Sequence, residues 1–160
     1  MSQWFETKVK YDKTLETGNI KTVTEPYLVD ALSFTEAEAR ITEEMQPYIS
    51  GDFTVAAVKK VRLDDIFYDP NGDKWYKVKI NMITIDEKTA AEKRTPSYYL
   101  VQACEFKYAL DTFMNGMKDT MFDYEIAQIT ETPLLDVFAA NLQETLADKA
   151  ARKKAEGQGE

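Results

Sequence analysis

The sequence predicts an α+β fold built from two tandem β-β-α-β repeats, with an antiparallel-rich sheet, helices on one face and a C-terminal helix. Internal repetition is the first observation: Trp4 begins a lysine-bearing strand pattern, and Trp75 begins a similar one about 71 residues later, a period too long for the common solenoids. Secondly, each copy passes from apolar–polar alternation to helical spacing and back. Thirdly, 44% hydrophobic and 12% aromatic residues favour a packed globule over disorder.

The repetition covers most of the chain. Residues 27–31 lead to an aromatic residue and an alanine at helical spacing, as residues 99–103 do, and the stretch 63–67 matches 134–138. We therefore expect one compact domain whose two repeats are related by a pseudo-twofold axis. Its parts are the first repeat (1–68), the second repeat (75–138), and a C-terminal helix with a frayed tail (139–160).

Strand, strand, helix and strand follow one another in the first repeat. The predicted elements are strands at 4–11 and 20–31, a helix between 34 and 48, and a third strand at 53–61. Ser33 and Glu36 predict a capping box at the helix start. Val55 and Val58, like Ile126 and Ile129 in the second repeat, break strict alternation, which predicts a bulge in each third strand. The helical side chains expected to face the sheet are Phe34, Ala37, Ile41, Met45 and Tyr48.

The second repeat follows the same path after a turn-rich joint. No capping box opens its helix, because Glu105 is followed by Lys107 and Tyr108. After Pro133 we expect a helix that passes through Leu135 and Phe138. The other predicted elements are a turn at 69–73, strands at 75–86 and 95–104, a helix between 106 and 117, and a third strand at 122–132.

Connection rules predict how each repeat folds. An antiparallel hairpin followed by a helix places the third strand beside the first, in the order 2-1-3, with a right-handed crossover. A single unit of this kind has a thin core and open edges. The two copies are therefore expected either to join edges in a six-stranded sheet or to pack face to face, and we favour the joined or closed arrangement.

Missing residue types exclude several kinds of active site. The chain has no histidine, which removes the commonest general base and the imidazole metal ligand. Its one cysteine, Cys104, occupies an apolar position where a buried structural thiol is expected, and one thiol cannot build a zinc site. No Walker-type or dinucleotide motif is present. We therefore predict no enzyme activity, no catalytic residue, no metal site and no cofactor.

One pair of acidic residues recurs in the two repeats. Asp65 and Asp136 occupy the same place in a Leu-x-Asp-(Ile/Val)-Phe pattern. Since each follows a third strand, we expect each aspartate to cap a short helical turn. A symmetric pair of acids is the alternative interpretation.

The charge balance bears on location and partners. The chain carries 20 basic and 28 acidic side chains, a net charge of −8, which disfavours general attraction to duplex DNA or an anionic membrane. No apolar run approaches membrane-spanning length, and the start lacks a signal-peptide pattern. A single cysteine fits a reducing compartment. We expect a cytoplasmic protein with a protein partner or, less favoured, single-stranded nucleic acid; its oligomeric state stays open.

A candidate binding surface lies on the outward face of the two first strands. Aromatic rings and lysines on a sheet can stack bases and meet the phosphates of single-stranded nucleic acid. The alternative, which we favour, is an ordinary solvated face with each tryptophan at the sheet margin. The candidate residues are Trp4, Lys8, Lys10, Trp75, Lys77 and Lys79.

The stretch Thr24–Arg40, with Trp4-Phe5 before it and Trp75–Lys79 after the joint, resembles a family of small uncharacterised proteins from gut bacteria and their phages. The resemblance covers most of residues 4–138. It implies a phage or mobile-element setting and brings no assigned activity or catalytic residue.

These observations predict a non-enzymatic binding or adaptor protein. It would engage a macromolecular partner through the groove along the pseudo-twofold axis or through an exposed sheet edge. The first alternative is a single-stranded nucleic-acid-binding accessory protein that uses the Trp/Lys strand faces. An enzyme that works through carboxylates alone is the least favoured alternative.

Overall fold

The computed structural model describes residues 3–139, where the chain has a strand-rich α+β fold with eight strands and two helices. The α+β class is thus confirmed. Most of the predicted C-terminal helix and tail (140–160) lies outside the described residues. The elements are β1 (Gln3–Thr14), β2 (Ile20–Ala31), α1 (Phe34–Met45), β3 (Phe53–Val61), β4 (Asp65–Phe67), β5 (Lys74–Ile85), β6 (Glu92–Ala103), α2 (Phe106–Gly116), β7 (Asp123–Thr132) and β8 (Asp136–Phe138).

These residues form two compact units. The first unit combines residues 3–61 with 136–139, and the second unit consists of residues 62–135. Each unit has one helix and a mixed four-stranded sheet, in the orders β3-β1-β2-β8 and β4-β6-β5-β7. The expected six-stranded joined sheet is therefore wrong. The two sheets are not joined through their second strands, because a short parallel strand pairs with the outer side of each. At the other end of each sheet, β3 and β7 have no further strand beside them in the described residues.

Within each unit the third strand lies beside the first, as the connection rules predict. β1 is antiparallel to both β2 and β3, and β5 is antiparallel to both β6 and β7. The predicted bulges are present as well. The ladder register skips Ala56 in β3 and Ala127 in β7, so each of these residues has no partner on the neighbouring strand.

The short strands β4 and β8 depart most from the prediction. β4 follows the first predicted repeat in the chain but pairs in parallel with β6, while β8 ends the second predicted repeat and pairs in parallel with β2. The units therefore differ from the predicted repeats (1–68 and 75–138), because residues 62–68 belong with the second sheet and 136–138 with the first. The last strand of each predicted repeat therefore pairs with the second strand of the other predicted repeat.

Strand formation also corrects two local predictions. The expected helix after Pro133 is wrong across β8, and the expected helical turn after Asp65 is a strand. In place of capping, the Oδ1 of Asp65 accepts a hydrogen bond from the Ile66 N–H at 2.8 Å, and Asp136 accepts one from Val137 at 2.8 Å. The unpaired edge of the neighbouring long strand favours the extended backbone here.

An aromatic stack accompanies each exchanged strand. The Phe138 ring in β8 stacks on Tyr27 of β2 with ring centroids 5.7 Å apart, and Phe67 in β4 stacks on Tyr99 of β6 at 5.8 Å. Burial raises the pKa of both tyrosines above its usual value, because it disfavours the charged phenolate. These rings stabilise the exchange through packing.

Helix α1 covers the sheet of the first unit, and its predicted capping box is present. The Glu36 N–H donates to the Ser33 hydroxyl at 3.1 Å, and the Glu36 carboxylate accepts from the Leu32 N–H at 2.9 Å. Phe34 and Tyr48 were both expected to face the sheet. Phe34 contacts the Phe5 ring of β1 edge-on at a centroid distance of 5.0 Å although it is half-exposed, while Tyr48 is mostly exposed. The buried cluster consists of Phe5, Val9, Tyr27, Val29, Ala31, Ala37, Ile41, Met45, Ile49 and Phe138.

Helix α2 covers the sheet of the second unit around Phe113. This ring contacts the rings of Phe67, Tyr99 and Tyr124 at centroid distances of 5.9, 5.4 and 6.2 Å. As predicted, no side chain caps the helix start at Glu105. The buried cluster consists of Tyr76, Val78, Ile80, Tyr99, Val101, Ala103, Ala109, Phe113 and Met117.

The predicted turn at residues 69–73 holds the start of β5 against β6. The Gly72 N–H donates to the Asp69 carbonyl at 2.9 Å. Gln102 fixes this turn from β6, since its amide accepts from the Asp69 N–H at 3.2 Å and donates to the Gly72 carbonyl at 3.0 Å. Only glycine fits at position 72, because a Cβ there would lie 2.6 Å from the Ala103 backbone.

Replacing Phe113 by alanine tests the core of the second unit. Phe113 is 0% exposed and Phe106 on the same helix is 56% exposed. We expect Phe113→Ala to lower the free energy of unfolding by about 3–5 kcal/mol, because the cavity forfeits packing on three rings. Phe106→Ala is the matched control with a loss of roughly 1 kcal/mol or less. Urea unfolding monitored by circular dichroism measures both, and equal losses would contradict this packing.

Candidate functional site

Lys77 and Lys79 lie side by side on the outward face of the second unit's sheet. They alternate along β5 with Val78 and Ile80, which are buried beneath α2, so the two lysines point away from the helix. Lys77 is exposed and Lys79 is half-buried. The predicted outward orientation of this pair is therefore present in the structure.

The neighbouring strands complete a groove around these lysines. Thr130 of β7 pairs with Lys77, while Lys79 pairs with Gln128 of β7 on one side and with Tyr98 of β6 on the other. The groove has a volume of about 440 Å³. We call it the lysine groove, and it is lined by Lys77, Lys79, Tyr98, Gln128, Thr130, Glu131, Thr132 and Pro133.

The lysine groove combines positive charge with an aromatic ring. The Lys77 ammonium lies 4.8 Å from the centre of the Tyr98 ring, a cation–π distance. Within residues 3–139, the salt bridges with acidic partners involve Arg40 and Arg94 and neither of these lysines. Such a surface suits an anionic group, and the amide and hydroxyls of the opposite strand add hydrogen-bonding capacity.

Asp64 holds the tyrosine of the groove in place. Its backbone N–H donates to the Tyr98 carbonyl at 2.7 Å, and its Oδ2 accepts from the Tyr98 N–H at 2.9 Å. The same carboxylate oxygen accepts from the Ser97 hydroxyl. Asp64 directly precedes β4, so the segment that leads into this short strand also holds the Tyr98 backbone.

Trp75 does not offer its ring to a ligand. It is 3% exposed, meets Tyr68 edge-on at a centroid distance of 5.8 Å, and its carbonyl accepts from the Thr132 hydroxyl at 2.8 Å. The aromatic residue of the groove is Tyr98, which the sequence reasoning missed. Strand alternation would have indicated its position, because Tyr98 lies between Ser97 and Tyr99, which are buried on the opposite face.

The other three candidate residues lie on β1 of the first unit. Lys8 and Lys10 are exposed on the outward face, and Trp4 is half-buried on the same face. Glu6 lies between Trp4 and Lys8 and pairs with Lys59 of β3. The structure thus brings Lys77 and Lys79 together in one groove and places Trp4, Lys8 and Lys10 on a separate strand face.

The possible metal ligands, the thiol and a tyrosine with a raised pKa bear on whether the described residues could carry out chemistry. In residues 3–139, no three acidic or cysteine side chains converge as a metal ion would require. Cys104 is half-buried, in contrast to the full burial that was expected. The pKa of Tyr11 is raised to about 12, first by a hydrogen bond with Glu25 and then by burial. The prediction that the protein is not an enzyme stays a prediction.

Two long strands form edges of the sheets. β3 and β7 each pair with one neighbour in the described residues, and their exposed positions include the bulge residues Ala56 and Ala127. Unpaired backbone N–H and carbonyl groups on such a strand can accept an additional strand. We call β3 and β7 the open edges.

The described chain is a strand-rich α+β protein with a lysine groove and two open edges. It belongs to the family described as a domain of unknown function (DUF4494), whose model matches residues 3–140. This agrees with the predicted resemblance to an uncharacterised family, while an origin in gut bacteria or phages stays a prediction. No curated protein and no solved structure matches the chain. None of the helices within residues 3–139 has the length and apolar character needed to cross a membrane.

Tryptophan fluorescence tests the contrast between the two tryptophans. The Trp4→Phe variant retains only Trp75, and its emission should resist acrylamide because the ring is buried. The Trp75→Phe variant retains only the half-buried Trp4 and should show a several-fold larger quenching constant. Unfolding in guanidinium is the control that should make both constants equal. Equal constants in the native proteins would contradict the burial of Trp75.

Proposed function

We propose that this chain is a non-enzymatic binding or adaptor protein that engages a macromolecular partner through an open edge. The observation that carries the proposal is the position of β3 and β7 at the ends of their sheets. They have nine and ten residues, which is long enough to present a row of backbone donors and acceptors. A partner segment in extended conformation would bind there by adding a strand.

Strand addition suits these edges for two physical reasons. Backbone hydrogen bonds provide affinity without requiring a particular partner sequence, and side chains on alternate positions provide specificity. On the helix side of each edge, half-buried apolar residues pack against the core, so an added strand could extend that apolar row. These residues are Val55 and Val58 in β3 and Ile126 and Ile129 in β7.

Several finer elements belong to the same proposal. We infer that the two predicted repeats arose from one ββαβ unit by tandem duplication, because both sheets have the same internal strand order and both bulges fall at corresponding alanines. The pseudo-twofold arrangement and a groove along its axis stay predictions. The phage or mobile-element setting and the cytoplasmic location stay predictions too.

Proline at the two bulges tests the use of the open edges. Because Ala56 and Ala127 have no ladder partner, Ala56→Pro/Ala127→Pro should keep the sheets while each proline ring adds bulk and restricts the backbone at the middle of each open edge. Random peptides displayed on phage are selected against the unmodified chain, and bound peptides should slow amide exchange in β3 or β7. We expect the proline variant to lose at least about tenfold in peptide affinity.

The matched control is Ala56→Ser/Ala127→Ser, which keeps both N–H groups and should bind the peptides as the unmodified chain does. Thermal unfolding verifies that all three proteins are folded. Peptides that protect neither edge, or that bind the proline variant equally well, would contradict the proposal.

The lysine groove favours a second candidate function, the binding of single-stranded nucleic acid. Lys77 and Lys79 supply charge for phosphates, and the Tyr98 ring supplies a surface for base stacking. The net charge of −8 opposes approach of a polyanion. Binding would therefore depend on this local surface and would weaken steeply with salt.

Replacing both groove lysines tests the second candidate. Fluorescence anisotropy with a labelled oligonucleotide of about 16 nucleotides measures Kd at several salt concentrations. Lys77→Ala/Lys79→Ala should raise Kd about tenfold and reduce the slope of log K against log salt by about 1–2, because up to two phosphate contacts are lost. Lys88→Ala/Lys118→Ala, at two exposed lysines outside the groove, is the control. Equal effects of the two pairs would rule out the groove.

A further inference from the structure

The two open edges carry opposite charges. β3 ends with the exposed lysines Lys59 and Lys60 and contains no acidic residue. β7 begins with Asp123 and Glu125, has Glu131 near its other end, and contains no basic residue. Strands of nearly equal length therefore differ in the sign of every charged side chain they carry.

Antiparallel pairing would bring these charges together. It places the end of one strand beside the start of the other. Lys59 on the outward face of β3 would therefore meet Asp123 and Glu125 on the outward face of β7, while Lys60 lies on the helix side. Cross-strand pairs of opposite charge stabilise a sheet, while like charges destabilise it. Each edge is thus complementary to the other edge.

Self-pairing of either edge lacks this complementarity. Two copies of β7 in antiparallel register would leave Asp123, Glu125 and Glu131 without any basic partner on the facing strand. Two copies of β3 would leave their lysines without any acidic partner on the facing strand. The charges therefore select a β3–β7 contact over either symmetric contact.

The apolar positions fit the same pairing. Val55 and Val58 lie on the helix side of β3, and Ile126 and Ile129 lie on the helix side of β7. Antiparallel pairing with both helix sides aligned continues one apolar row across the contact. Each edge has its bulge near the middle of the strand, at Ala56 and Ala127, so the two distortions would fall at similar places.

We propose that the strand which binds an open edge belongs to a second copy of this chain, with β3 of one copy antiparallel to β7 of the next. This inference rests on the proposed function and names its partner. Charged residues and bulges also protect edges from unwanted pairing, and here they block like edges while they permit unlike ones. Because the contact joins two different surfaces, it generates rings or open chains.

Charge reversal on one edge at a time tests this pairing. In the acid-edge variant, Lys59→Glu/Lys60→Glu makes β3 acidic. In the basic-edge variant, Asp123→Lys/Glu125→Lys makes the start of β7 basic. Since Glu125 also lies 3.5 Å from Arg94 and 3.3 Å from Asn81, Asp123→Lys alone is a milder second variant. Sedimentation velocity from micromolar to millimolar protein measures association, and circular dichroism verifies the fold.

The unmodified chain should form larger species as its concentration rises. Both variants should weaken association about tenfold or more, because each replaces attraction by repulsion. Each substitution changes the charge by two, so the net charge moves from −8 to −12 in the acid-edge variant and to −4 in the basic-edge variant. If general repulsion between copies controlled association, the basic-edge variant would associate more strongly than the unmodified chain, because its net charge is smaller. Weaker association of both variants would therefore identify the edges as the contact.

Mixing the two variants gives the decisive result. The acidic β3 of one variant matches the basic β7 of the other, so a one-to-one mixture should recover the association that each lost alone. Lys88→Glu/Lys118→Glu reproduces the charge of the acid-edge variant outside both edges and should associate as the unmodified chain does.

Three outcomes would overturn the inference: a monomeric unmodified chain at every concentration, unchanged association of the basic-edge variant, or no complex in the mixture. If these occur while displayed peptides still protect β3 or β7, the second copy is excluded as the partner and the edges still bind strands. If the peptides also fail to protect either edge, the proposed function fails with it.

Discussion

The exchange of the two short strands is the constraint on which the rest of this structure depends. β8 pairs with β2, and β4 pairs with β6, so each sheet is completed by a strand from the end of the other predicted repeat. A phenylalanine from each exchanged strand stacks on a tyrosine of the receiving strand at nearly the same distance. Each of the two cores therefore depends on chain segments that are distant in sequence.

The same exchange makes the two outward faces unequal. The segment that leads into β4 carries Asp64, whose carboxylate accepts hydrogen bonds from the Ser97 hydroxyl and the Tyr98 N–H and thereby holds the backbone that carries the Tyr98 ring of the lysine groove. The corresponding position before β8 is Leu135, whose side chain cannot accept a hydrogen bond. The difference between Asp64 and Leu135 thus gives the second unit a set of side-chain hydrogen bonds that a leucine cannot provide in the first unit.

Edge chemistry follows from the exchange as well. A short parallel strand covers one side of each sheet in the described chain, and the opposite side ends in β3 or β7. Both open edges have a bulge, yet one carries lysines and the other carries acids. Similar backbones with opposite charges favour contacts between unlike edges, because facing like charges destabilise a sheet.

The sequence by itself determined the hairpins, the helices, the bulges and the capping box, because alternation, helical spacing and a Ser-x-x-Glu pattern are local signals. It also predicted the outward lysines of β5. Only the tertiary structure decided that Asp136–Phe138 and Asp65–Phe67 form strands, since a three-residue strand is too short to show alternation and its partner lies far along the chain. The burial of Trp75 and the placement of Tyr98 by Asp64 were decided in the same way, by contacts with residues that no local pattern connects.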